Sequence, residues 1–153
     1  MKIVLLAVGR LRNASVRELC DDYLARLQRY GLAEVLEVKA AEARTPIQAV
    51  AEESERLLAA LLPRDRVIVL DERGTQAASP DLALILKAAE MQAVKRLVFV
   101  IGGAFGVNDA VRKRGRILSL SKLTMPHELC RVLVLEQLYR ARTIQRGEPY
   151  HHA

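Results

Sequence analysis

Apolar residues recur along this chain in two rhythms, short unbroken runs and stretches spaced for one face of a helix, and the two alternate from end to end. Lys2–Val8 is an apolar run closed by Gly9 and reads as a strand. Ser15-Val16-Arg17-Glu18 has the form of a capping box, and Val16, Leu19, Cys20, Tyr23, Leu24, Leu27 and Tyr30 follow at helical spacing. Glu34–Lys39 reads as a second strand. Thr45-Pro46 supplies an N-cap and a first-turn proline to a helix carried by Ile47, Val50, Ser54, Leu57, Leu58 and Leu61 as far as Pro63. Arg66–Leu70 is a third, β-branched strand, and Ser79-Pro80 opens a helix through Leu82, Ile85, Leu86 and Ala89. Leu97–Ile101 is the plainest buried strand. A short helix from Asn108 stops at Gly115, and Arg116–Leu120 makes a fifth strand. The last helix runs from near Pro126 to Gly147, a residue suited to a left-handed stop.

Five strand–helix repeats with short connections predict an α/β fold, a mostly parallel sheet flanked by helices on both faces. The last helix carries a further signal. At 100° per residue Leu129, Cys130, Val132, Leu133, Val134, Leu135, Leu138, Tyr139 and Ala141 surround its axis. A helix apolar on every side is buried on every side, which predicts a second subunit against it and hence a homodimer.

The length of 153 residues suits one domain with a real core, and 51% hydrophobic with 27% charged residues is ordinary for a globular chain. The opening Met1–Gly9 imitates a signal peptide, but its apolar run is short, Arg10 and Arg12 follow at once, and no small-x-small site appears. No stretch reaches membrane-spanning length. Cys20 and Cys130 fall on apolar helix faces, which points to reduced thiols in a cytoplasmic protein.

Net charge changes this picture more than composition does. Residues 1–110 hold 15 Lys/Arg against 15 Asp/Glu, whereas residues 111–153 hold 9 against 3, which supplies the whole excess of +6. Arg112, Lys113, Arg114 and Arg116 lie within five residues. A solvated basic face accounts for such a cluster, and so does a polyanion-binding surface; the confinement to one end favours nucleic acid.

Ligands of open α/β sheets bind beyond the carboxyl ends of the strands. Three such ends carry unusual residues: Leu70-Asp71-Glu72-Arg73-Gly74, Gly102-Gly103-Ala104-Phe105-Gly106, and Leu120-Ser121-Lys122-Leu123-Thr124-Met125-Pro126-His127. The glycines allow close backbone approach to a ligand, or mark a structural turn. They form neither a Walker loop nor a G-x-G-x-x-G fingerprint. Leu120–Met125 is apolar and hydroxylated with few charges, which suits a nucleoside without phosphates. No zincin motif, no cysteine pair at metal-ligand spacing and no nucleophile elbow occurs, so no metal is expected.

These segments resemble signatures of one family. K-I-V-L-L-A-V-G, V-I-V-L-D-E-R-G, V-F-V-I-G-G-A-F-G, L-S-L-S-K-L-T-M-P-H, R-V-L-V-L-E-Q-L-Y-R-A and the closing R-G-E-P-Y-H are similar to those of the ribosomal large subunit pseudouridine methyltransferase H family, within the SPOUT (α/β-knot) methyltransferases. The likeness covers nearly the whole chain and implies a single SPOUT domain over residues 1–153, a C-terminal trefoil knot, a homodimer and S-adenosyl-L-methionine bound in the knot. By position it places the cofactor contacts on Leu70, Gly102, Leu120, Ser121, Lys122, Leu123, Thr124 and Met125. The implied reaction is N3-methylation of a pseudouridine of 23S rRNA in the assembled ribosome; a SPOUT enzyme acting on tRNA and a non-catalytic ribosome-binding module are the alternatives. Members usually carry Arg or Lys directly after the Tyr-His pair, where this chain has His152 and Ala153.

Methylating an imide nitrogen requires loss of its proton, because the N–H has no free in-plane lone pair. The expected division of labour gives Tyr150 the stacking of an unstacked base, His151 the removal of the proton or the orientation of the base, and Arg142 the stabilisation of the anion, with His127 the alternative base. His127 is expected beside the cofactor segment, Arg131 inside the last helix, and Arg112, Lys113, Arg114 and Arg116 on RNA phosphates. The tail is expected to fold over its target only when RNA is bound.

Overall fold

The computed structural model describes residues 1–43 and 45–152; Ala153, part of the departure after Tyr-His, lies outside them. The strands are β1 (Lys2–Val8), β2 (Ala33–Val38), β3 (Arg66–Gln76), β4 (Arg96–Ile101) and β5 (Arg116–Ser119). The helices are α1 (Ala14–Gln28), α2 (Pro46–Ala60), α3 (Ser79–Met91), α4 (Asp109–Arg112) and α5 (His127–Arg146). All strand pairs are parallel, in the order β2-β1-β4-β3-β5.

The continuous apolar runs are explained by burial on both faces. Ile3, Leu5 and Ala7 of β1 join Leu97, Phe99 and Ile101 of β4 beneath α1, α3 and α5, where Leu27, Leu86, Leu135 and Leu138 meet them. Val4, Leu6 and Val8 join Val98 and Val100 on the other face, covered by Leu57 of α2 and by Val107 and Val111 around α4. The register Leu5↔Phe99 and Leu6↔Val100 keeps each face in step across the sheet.

Local chemistry sets the boundaries. Thr45 Oγ1 accepts from the Gln48 N–H at 3.3 Å ahead of Pro46, as expected. The start of α1 differs: Asn13 Oδ1 accepts from the Val16 N–H at 3.2 Å, so the cap lies two residues before Ser15. At α3 the N-cap is Ala78, whose N–H donates to Asp81 at 2.9 Å, and the Ser79 hydroxyl donates to Gln137 of α5. Gly147 stops α5 with φ 67°.

One expectation is corrected. β3 does not end at Leu70: it pairs with β5 at Ile68–Leu70, bows out, and pairs again at Thr75 and Gln76. At Gly74 a β-carbon would lie 2.6 Å from the Leu118 backbone, so only glycine permits this approach. Within one chain α5 is not covered on every side, and the second subunit expected against it lies outside this chain. Leu135 and Leu138 are buried, while Leu129 (46%) and Leu133 (38%) remain exposed along one strip. Arg131 is the bulkiest of the fully buried side chains among the described residues, 1% exposed, with its guanidinium on Glu37 Oε1 (2.7 Å) and on the carbonyls of Val8 and Gly9. No helix among the described residues is long and apolar enough to cross a membrane.

Candidate functional site

The middle of β3 and the carboxyl ends of β4 and β5 converge on a cavity of about 420 Å³, within the usual ~300–1,000 Å³ of small-molecule sites. Its walls include Leu70, Gly102, Leu120, Ser121, Leu123, Thr124 and Met125, so seven of the eight anticipated cofactor positions come together. Lys122 does not line it; its side chain is exposed to solvent. His127 and Cys130 close the α5 side. Glu128 holds that helix start against the β1–α1 loop by accepting from the N–H groups of Arg12 (3.1 Å) and Asn13 (3.4 Å). The Arg12 bond, opposed by slight burial and aided by Asn13, lowers the Glu128 pKa.

The glycine segment is a tight turn. Gly106 N–H donates to the Gly103 carbonyl at 3.1 Å, placing Ala104 and Phe105 at the apex, and Gly106 has φ 78°. The turn is braced from behind. A β-carbon on Gly103 would fall 2.2 Å from Glu53 Oε2, and one on Gly102 would fall 2.8 Å from the Gly106 backbone. Glu53 is only 7% exposed, accepts from the Ala41 N–H at 3.0 Å through Oε1, and has no partner for Oε2 among the described residues. Neighbouring Ser54 accepts from the Asn108 N–H at 3.0 Å. Sequence reading passed over Glu53, because a lone acidic residue on an amphipathic helix carries no mark of burial.

The basic cluster divides. Arg112 turns inward to line the cavity, bonding Asp71 (2.8 Å) and Asp109 (2.8 Å). Burial raises the Asp71 pKa, but the Arg73 N–H and the Arg112 guanidinium outweigh it and hold the carboxyl below its ordinary value. Arg114 donates to the carbonyls of Leu62 and Pro63. Lys113 and Arg116 are exposed. The expected phosphate surface therefore keeps two of its four members open to solvent; the other two are engaged within the fold.

The tail packs back on α5. The Tyr150 ring meets Tyr139 edge-on (centroids 4.7 Å apart, 67°), carries the Arg140 guanidinium over its face at 4.7 Å, and donates its hydroxyl to Glu136 at 3.1 Å. Burial, with hydrogen bonds to Tyr23 and Glu136, raises the Tyr150 pKa far above its ordinary value. Tyr30 donates to Glu148, which pushes its own pKa up to about 12. Arg140 Nη1 approaches His151 Nδ1 at 3.5 Å. Arg142 is elsewhere. It is 8% exposed and donates to Glu90 of α3 and to Gln145 (2.9 Å). The structure brings Tyr150 and His151 together with Arg140, not with Arg142.

A parallel sheet covered on both faces, with an apolar, hydroxyl-bearing and glycine-walled cavity at its carboxyl edge, defines an α/β protein whose ligand site would lie at that edge. The family model described as predicted SPOUT methyltransferase matches residues 1–151. A ribosomal RNA large subunit methyltransferase H from Desulfovibrio desulfuricans is 44% identical over 149 residues, 96% of this chain and 95% of that protein. One from Geobacter metallireducens is 41% identical over 154 residues, covering both chains completely. A solved structure described as "Probable Methyltransferase from Bordetella pertussis Tohama I" has the same fold, with a TM-score of 0.59 at 15% identity over 92% of this chain and 96% of that one. The chain belongs to the SPOUT methyltransferase family.

Proposed function

We propose that this protein, a single domain over residues 1–153, methylates N3 of a pseudouridine in 23S rRNA of the assembled ribosome, using S-adenosyl-L-methionine, as a cytoplasmic homodimer. The observation that carries this reading is the cavity itself. Its hydroxyls (Ser121, Thr124), apolar walls (Leu70, Ile101, Leu120, Met125) and glycine turn suit an adenosine-type ligand, and the lysine-serine pair of a phosphate loop is missing. Leu70, Gly102, Leu120, Ser121, Leu123, Thr124 and Met125 would hold the cofactor. When bound, it supplies a methyl group on a sulfonium centre.

The chain's own task is to bring a deprotonated nitrogen into line and shield its charge. His151 takes the imide proton, and Arg140, beside it, faces the resulting anion. Arg112 and Asp71 lock the cavity wall to each other. Tyr150 anchors the tail through Tyr139 and Arg140. Within one chain this group is remote from the cavity: Cys130, on its wall, and Tyr139, under the tail, are nine residues apart on α5, about 13.5 Å at 1.5 Å per residue. A homodimer pairing one subunit's tail with its partner's cavity answers that separation, and exposed Leu129 and Leu133 offer the apolar surface for it. The reading includes a trefoil-knotted C-terminal half. Its support is the loop of residues 71–74 between two pairings with β5, packed against the Leu118 backbone and lining the same cavity as Leu120–Met125.

Ribosomes and bulk tRNA from a strain lacking this gene, incubated with the enzyme and methyl-labelled cofactor, provide the test. Label should enter one 23S pseudouridine, and His151→Ala should cut turnover on ribosomes by roughly 10²-fold or more while leaving S-adenosylhomocysteine affinity intact. Label confined to tRNA would refute the substrate assignment, and no binding of S-adenosylhomocysteine would refute the enzyme.

A further inference from the structure

Of the chain's two phenylalanines, Phe99 is buried in the sheet, whereas Phe105 is 59% exposed. Phe105 sits at the apex of the Gly103–Gly106 turn, on the wall of the cofactor cavity. Its backbone is held in place: the turn closes through Gly106 N–H on the Gly103 carbonyl, Glu53 backs Gly103, Val107 is buried, and Ser54 holds Asn108. Among the described residues its ring enters no aromatic pair and no cation–π contact, unlike those of Tyr23, Tyr30, Tyr139 and Tyr150. A ring this exposed contributes little to the core.

Resting on the functional reading above, we infer that Phe105 is the stacking platform for the target base. Tyr150, the sequence's first choice, already has its ring occupied by Tyr139 at the edge and by Arg140 on a face. A base presented to a methyl donor must lie at the mouth of the donor's cavity, where Phe105 stands. Single-stranded and extruded bases are held by stacking on aromatic faces. Arg73 lines the same cavity with its side chain 67% exposed and only a 4.0 Å contact to Asp71. A ring for the base and a solvent-facing cation for a phosphate on the walls of one cavity are the chemistry of a nucleotide, not of an apolar partner surface.

The test compares Phe105→Ala, Phe105→Leu and Phe105→Tyr as full-length dimers on ribosomes from the deletion strain. Stacking predicts a loss of ribosome affinity and a rise in KM of roughly 5- to 150-fold for Ala. Leu should fall with Ala, because it keeps bulk but has no π-face, and Tyr should stay near wild type. S-adenosylhomocysteine affinity by calorimetry and sedimentation mass should not move in any variant. Unchanged ribosome affinity in Ala and Leu, full function in Leu, a loss of S-adenosylhomocysteine affinity, or dissociation of the dimer would each overturn the assignment. Wild-type enzyme that leaves 23S rRNA unlabelled would instead defeat the functional reading on which it rests.

Discussion

Adding one methyl group at Gly103 probes how the cofactor turn is supported. In Gly103→Ala the new β-carbon would stand 2.2 Å from Glu53 Oε2, 2.9 Å from Cδ and 3.2 Å from Oε1. A carboxylate ends a flexible side chain, so the cost depends on what its displacement breaks. Here it breaks the 3.0 Å bond from the Ala41 N–H, and Glu53 is too enclosed for water to replace that partner fully. Overpacking and the lost bond together should destabilise the fold by about 1–3 kcal/mol. Any part of that strain relieved by shifting the turn will reach the cavity, and S-adenosylhomocysteine affinity should fall roughly tenfold, equivalent to ~1.4 kcal/mol. Urea unfolding and calorimetry read both effects. The decisive comparison is a double-mutant cycle with Glu53→Ala, in which Gly103→Ala should become almost neutral, a coupling of about 1–3 kcal/mol. Two costs that add to within ~0.5 kcal/mol would show that Glu53 does not brace the turn.

The two arginines near the end of α5 should separate by assay. Arg140→Ala should cut turnover on ribosomes yet change unfolding stability by no more than ~1 kcal/mol, since its ion pair with Glu136 is a partly exposed i,i+4 contact. Arg142→Ala should lose about 1–3 kcal/mol through the bonds to Glu90 and Gln145, with normal turnover per folded molecule; the opposite pattern would restore the role that sequence gave Arg142. The thiol of Cys20 is raised by burial, against the pull of Arg131, from 9.0 to about 11. A group that keeps its proton longer when folded stabilises fully below the unfolded value and loses that contribution as pH rises through the folded one, so the Cys20 contribution should decline between pH 9 and 11. Alkylation of native protein at pH 8 should spare Cys20, and rapid labelling there would contradict its enclosure.

Much of the architecture was legible because burial on two faces writes a distinctive pattern. β1 and β4 lie under helices on both sides, so neither face can be polar, and the unbroken runs Lys2–Val8 and Leu97–Ile101 announce it. Thr45-Pro46 and Gly147 marked helix ends because capping depends on a few adjacent residues. The segments that line the cavity stood out for a similar reason: each is a short local run of glycines or hydroxyls next to the end of a strand-like run. What the sequence could not decide were pairings between remote segments. Arg112 counted toward a basic surface until its partner Asp71, 41 positions earlier, came alongside it. Arg140 and Arg142 are two residues apart, so helical geometry alone sets them on opposite sides of α5. Only the packing of α3 on one side, and the return of the tail on the other, determines that Arg142 meets Glu90 and Arg140 meets His151. The same holds for Glu53 behind Gly103 and for the extension of β3 beyond Leu70. Charge, spacing and hydrophobicity are properties of neighbours along the chain, whereas an ion pair, a buried carboxylate or an exposed ring exists only once distant segments share a few ångströms of space.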